Sequence, residues 1–118
     1  MFFGEREVEI GVIDAEATVS LIKFVVLVMN EIEEDEKMAV AQAVKGGRLL
    51  GLINVLSPLH LYKLTSIVSG VPEKEVKECW NIILFTELLA ELSEKNDLPA
   101  ILKNLQRAVV ALKSLTLP

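Results

Sequence analysis

The sequence predicts an all-α fold: a compact bundle of about five or six helices spanning residues 14–118, preceded by a short extended N-terminal arm at residues 1–13. Three observations point that way. Apolar residues make up 52% of the 118-residue chain but aromatics only 5%, so the core must be built from Leu, Val, Ile and Ala, a composition that suits packed helices better than a sheet sandwich. Apolar residues recur at steps of three and four along most of the chain, and alternate strictly in only one short stretch. Helix-starting residues, Asp14, Ser57 with Pro58, Pro72, and Asp97 with Pro99, stand at intervals suited to short helices.

The arm reads MFFGEREVEIGVI, with Val8, Ile10 and Val12 alternating against Glu7, Glu9 and Gly11. Alternation is a strand signal. Nothing else in the chain alternates convincingly, so this segment is expected to pair with a second copy, to lie over the helices, or to be disordered. Phe2 and Phe3 favour an ordered arm, since bare aromatic rings are unfavourable in water.

Asp14 caps a helix expected to run to about Glu34, with Glu16 in its first turn. Its polar stripe is narrow, Glu16, Ser20, Lys23 and then Asn30, Glu31 and Glu34, and nearly everything from Leu21 to Met29 is apolar. A surface helix ordinarily buries a stripe a little over 100° wide. This helix is therefore expected either at the centre of the bundle or in an oligomer interface. The acidic run from Glu31 to Glu36 reads as a solvated helix end or turn, because it lacks the alternating spacing and Gly bend of a calcium loop.

Met38 to Leu56 is rich in small residues, with Ala43, Gly47 and Gly51 four apart. Either one smooth face admits a close neighbour, or Gly46 and Gly47 end one helix and Arg48 begins another; the break is preferred. The glycines are not a phosphate loop, since Arg48 and Leu49 stand where a Lys and a hydroxyl should follow. Ser57 and Pro58 start a short helix that ends at Gly70, with His60 near its beginning.

Gly70 to Asn96 is expected to be a turn and one long helix around which the rest is organised. Val76, Cys79, Trp80 and Ile83 share one side early; Leu84, Phe85, Leu88, Leu89 and Leu92 gather on roughly the opposite side later. Ile82 to Phe85 is apolar all round, the pattern of a segment surrounded by protein. The alternative is a kink near Asn81 that makes two amphipathic helices. The last helix, from Leu98, has the most regular pattern in the chain and is expected to form an antiparallel hairpin with its predecessor.

Net charge is −5, and residues 1–57 account for it with five basic and ten acidic side chains, the rest carrying seven of each. An acidic chain with three arginines is poorly suited to a phosphate backbone or an anionic membrane. No secretory signal is visible in MFFGEREVEI, and the longest apolar run is about half a bilayer span. A soluble cytoplasmic protein is expected, in keeping with a lone Cys79 that has no disulfide partner within the chain. No catalytic site, cofactor or metal is expected. His60 has no carboxylate or cysteine at ligand spacing, and Ser57, Ser66, Ser69, Ser93 and Ser114 lack the glycines of a hydrolase elbow.

Residues 64–80, LTSIVSGVPEKEVKECW, resemble the helix-turn-helix of DNA-binding regulators, with Gly70 and Val71 at the turn, small Ser66 where the helices approach, and Val76 facing inward. The resemblance implies nucleic-acid contact through Lys74, Lys77 and Asn81. The same face carries Glu73 and Glu78 and no Arg for guanine edges. The expectation preferred here is a helical protein–protein interaction or assembly domain that self-associates, a dimer being favoured, through Phe24, Val25, Val28 and Met29 and through Phe85, Leu88 and Leu89. The helix-turn-helix regulator is the alternative.

Overall fold

The computed structural model describes residues 1–45 and 56–116. Among these, a two-stranded hairpin, β1 (Phe2–Phe3) and β2 (Arg6–Glu7), leads into six helices: α1 (Ala15–Glu31), α2 (Glu34–Lys45), α3 (Pro58–Ser69), α4 (Glu73–Cys79), α5 (Ile82–Lys95) and α6 (Leu98–Thr116). The fold is all-α with a short N-terminal arm. The expected break at Gly46 and Gly47 lies outside the described residues.

The arm departs from the expected lone strand. Phe2 pairs with Glu7 and Phe3 with Arg6, antiparallel, because Gly4 takes a left-handed φ of 64° that lets the chain reverse at once. Phe3 is buried and Phe2 exposed. Residues 8–13, where the alternation lies, belong to no strand. Val8 exchanges backbone hydrogen bonds with Met1, its N–H donating at 2.8 Å, Ile10 sits in the core, and the Ile13 N–H donates to Asn96 Oδ1 at 2.8 Å.

Capping chemistry sets the helix boundaries. Asp14 accepts from the Ala17 N–H at 2.8 Å, Ser57 Oγ from the His60 N–H at 3.2 Å, and Asp97 Oδ1 from the Ala100 N–H at 3.2 Å; each carboxylate or hydroxyl satisfies a backbone donor that a first turn leaves orphaned. α1 stops at Glu31, and the acidic run supplies a turn and the first turn of α2, where Glu34, Asp35 and Glu36 suit the positive end of the helix dipole.

The long central helix is not one helix. The chain leaves helical geometry at Trp80 and Asn81 (ψ 132° and 173°), and the Asn81 side chain accepts from the Leu84 N–H at 2.8 Å, capping a new helix. The change of apolar face is the reason: Val76 is fully buried against α3, whereas Leu84, Phe85, Leu88 and Leu92 are buried on the other side of the chain. Ile82 and Ile83, expected inside, are 49% and 74% exposed because they form the first turn of α5.

The closest helix approaches are α3 with α4, α1 with α3, α1 with α6, and α2 with α6. Among the described residues α6 lies closest on α1 and α2, while α5 faces α6 across a cavity lined by Leu88 and Leu92 on one and Leu98 and Ile101 on the other. The turn between α5 and α6 also anchors the arm, since Asn96 Nδ2 donates to the Gly11 and Leu92 carbonyls at 3.2 and 3.1 Å. Replacing it, Asn96→Ala, should lower unfolding free energy by about 1–3 kcal/mol and speed hydrogen exchange at Ile13, measured by urea titration and NMR; unchanged exchange at Ile13 would show that the arm is held elsewhere.

Candidate functional site

On α1, Leu21, Phe24 and Val28 are buried, at steps of three and four, and form the inner face. Val19, Ile22, Val26 and Met29 form a second row at steps of three, four and three, roughly 150° round the helix at 100° per residue. None of these four is buried, and Val19 is 51% exposed. The spacing is that of a coiled-coil seam. Lys23 and Asn30, both exposed, border it.

All seven residues expected to mediate association meet at one place. Phe24, Val25, Val28 and Met29 from α1 and Phe85, Leu88 and Leu89 from α5 line a cavity of about 150 Å³, closed further by α3, α6, Ile13 and Leu56. Phe24, Val28, Phe85 and Leu88 are buried within the chain, while Val25, Met29 and Leu89 are half-buried. The first four are core residues with no surface left for a partner. Of the apolar row of α1 that remains at the surface, Met29 was among the residues expected to mediate association, and Val19, Ile22 and Val26 were not.

α3 and α4 pack on each other across a tight corner. Gly70 is left-handed at φ 77°, Thr65, Val71 and Val76 are buried, and the Ser66 hydroxyl donates to the Val71 carbonyl at 2.6 Å. The second helix has seven residues, not the long helix expected. Lys74 and Lys77 are exposed on it, with Glu73 and Glu78 equally so. Asn81 lies beyond α4 and its Oδ1 is engaged as the α5 cap, so these three residues form no single basic surface. The hairpin brings a basic side chain to α4, with Arg6 donating to Glu75 Oε1 at 2.7 Å.

Two polar links were not legible in advance. Trp80 Nε1 donates to Thr65 Oγ1 at 3.0 Å, and Thr65 Oγ1 donates to the Leu61 carbonyl at 2.8 Å, which satisfies a fully buried hydroxyl and ties the α4–α5 break to α3. Tyr62 and Phe85 flank the indole edge-on and tilted, with centroids 6.1 and 5.5 Å away. The signal was a Thr one turn from Leu61 on an inward face.

The second link joins α1 to α3. His60 Nδ1 accepts from the Ser57 N–H at 3.4 Å, which leaves Nε2 to donate to Glu31 Oε2 at 2.6 Å. Glu31 ends α1, where a negative charge opposes the helix dipole, and the imidazole N–H relieves it. Both ring nitrogens are occupied by structural partners. Among the described residues no cluster of three His, Cys, Asp or Glu could hold a metal ion, and no helix is long and apolar enough to cross a membrane.

Burial pushes the Cys79 thiol up from its ordinary range, opposed by its hydrogen bond to backbone and reinforced by Glu78 and Glu75. The thiol donates to the Glu75 carbonyl at 3.4 Å. It is a protonated, packed thiol, without an activating base. No family model, curated protein or solved structure matches the chain.

Two outcomes are expected. Thr65→Val should orphan Trp80 Nε1 and lower stability by about 1–3 kcal/mol, read from the urea midpoint of indole fluorescence; an unchanged midpoint would mean that water replaces the hydroxyl. Iodoacetamide should alkylate native Cys79 more slowly than free cysteine around pH 8.5, the gap closing in urea. The sign follows from the raised pKa: the folded thiol holds its proton more tightly, so its contribution to stability is present below the unfolded pKa and lost as pH rises through the folded one.

Proposed function

We propose that this chain is a small helical protein–protein association domain that forms a homodimer in the cytoplasm through the outer row of α1. The observation that carries the reading is the seam Val19, Ile22, Val26 and Met29, a second apolar stripe on a helix that has already buried Leu21, Phe24 and Val28. From Val19 to Met29, ten residue steps, the seam is about 15 Å long. Two such seams related by a two-fold axis bury each other in an isologous contact, and each residue of one copy finds its counterpart on the other. Free Cys79 is in keeping with a reducing compartment.

The DNA-binding alternative has the buried corner in its favour and the charge against it. A recognition helix must bring donors to base edges and cations to phosphates. α4 offers Lys74 and Lys77 against Glu73 and Glu78, and Glu75 is already paired with Arg6. A duplex should therefore show no salt-sensitive retardation, even at low ionic strength.

Light scattering after size exclusion, over a dilution series, should give a dimer mass for the wild-type chain. Ile22→Glu and Val26→Glu should each give a monomer whose helical circular dichroism is kept, because neither residue is buried. Val28→Glu should instead unfold the chain, since it places a carboxylate in the core. A wild-type monomer at every concentration, or a dimer unchanged in both seam variants, would overturn the proposal.

A further inference from the structure

We propose that the cavity between α1, α3, α5 and α6 is a binding site for a compact, uncharged apolar molecule of about the size of benzene. The cavity measures about 150 Å³ and its described lining is entirely apolar, from the rings of Phe24 and Phe85 to aliphatic side chains such as Val25, Leu89 and Leu102. Water needs two to four polar partners to stay in a buried site. None of the described lining residues offers one, so water is held poorly there.

A dry void leaves the side chains around it without dispersion contacts on one side. Those contacts return when a hydrocarbon fills it, and engineered cavities of this volume and chemistry take up benzene for that reason. Selectivity follows from the same lining. A hydroxyl, amide or ring nitrogen would be stripped of water with no partner to replace it, which disfavours polar isosteres of equal size. Val25, Leu89 and Leu102 are half-buried whereas Phe24 and Phe85 are buried, so the phenylalanines form the floor and the aliphatic residues the entrance. An occupant there touches α1, α5 and α6 together. The site adjoins the outer row of α1 at Met29, which lines it, whereas Val19, Ile22 and Val26 do not.

The probe is benzene, with pyridine as its polar isostere, and the reading is the folded-to-unfolded ratio from thermal melts followed by circular dichroism. At ten times its dissociation constant, benzene should raise that ratio about elevenfold, saturably, while pyridine at equal concentration leaves it nearly unchanged. Leu89→Phe and Val25→Phe, on different helices, should each fill the space and remove the benzene response. Intermolecular NOEs from benzene to the methyls of Val25 and Leu89 locate the probe in the wild-type chain without any substitution. Ile22→Glu, which changes the seam and not the cavity, should keep the response. No response to benzene, an equal response to pyridine, a full response in a folded filling variant, or NOEs that miss both methyls would overturn the proposal.

Discussion

The fold depends on a conflict between two apolar faces and on the two residues that resolve it. Val76 must go inward on one side of the chain, and Leu84, Phe85, Leu88 and Leu92 on nearly the other; a straight helix cannot serve both without leaving one set in water. Trp80 and Asn81 turn the chain between them. Asn81 replaces the lost intrahelical bonds with a cap, and Trp80 fixes the turn to α3 by its bond to Thr65. Once the break is set, α4 is free to pack on α3 while α5 contributes its long side chains to the core beside α1.

That division leaves α1 with more apolar surface than its neighbours cover. Its inner face holds the core, with Phe24 against both the cavity and the edge of His60, whose ring lies 6.2 Å away at 82°. Outside that face, the row Val19, Ile22, Val26 and Met29 is apolar without being buried. A cavity on one side and a seam on the other have the same origin: a helix of mostly aliphatic residues that the other described elements, five helices and a small hairpin, do not surround with close packing.

Much of this was legible in the residues. The caps Asp14, Ser57 and Asp97 stand where the sequence puts them, because a cap is decided by its own side chain and the next three amides. The inward positions of α5 from Leu84 to Leu92 followed from periodicity alone. Legibility fails where distant partners decide. The arm's true pairing depends on a left-handed Gly4 and on Asn96; the His60–Glu31 bond spans 29 positions; and the separation of α1 into inner and outer rows depends on which helices arrive beside it. A run such as LIKFVVLVM shows that a helix is apolar all round, not which side its neighbours take. The seven candidate residues were expected as two surfaces, one on α1 and one on the central helix; whether such surfaces meet inside one chain or between two is a property of the packing.

Asn96 holds the arm as well as the end of α5, and the donor it receives, the Ile13 N–H, lies 83 residues earlier. At synthesis rates of about 5–20 residues per second, Ile13 emerges roughly 4–17 s before the side chain that will anchor it. During that interval the two phenylalanines of the hairpin have no core to enter, and the most apolar helix of the chain follows them directly. The nascent chain thus passes through a period in which the hairpin and α1 wait, exposed, for the turn between α5 and α6 to hold them.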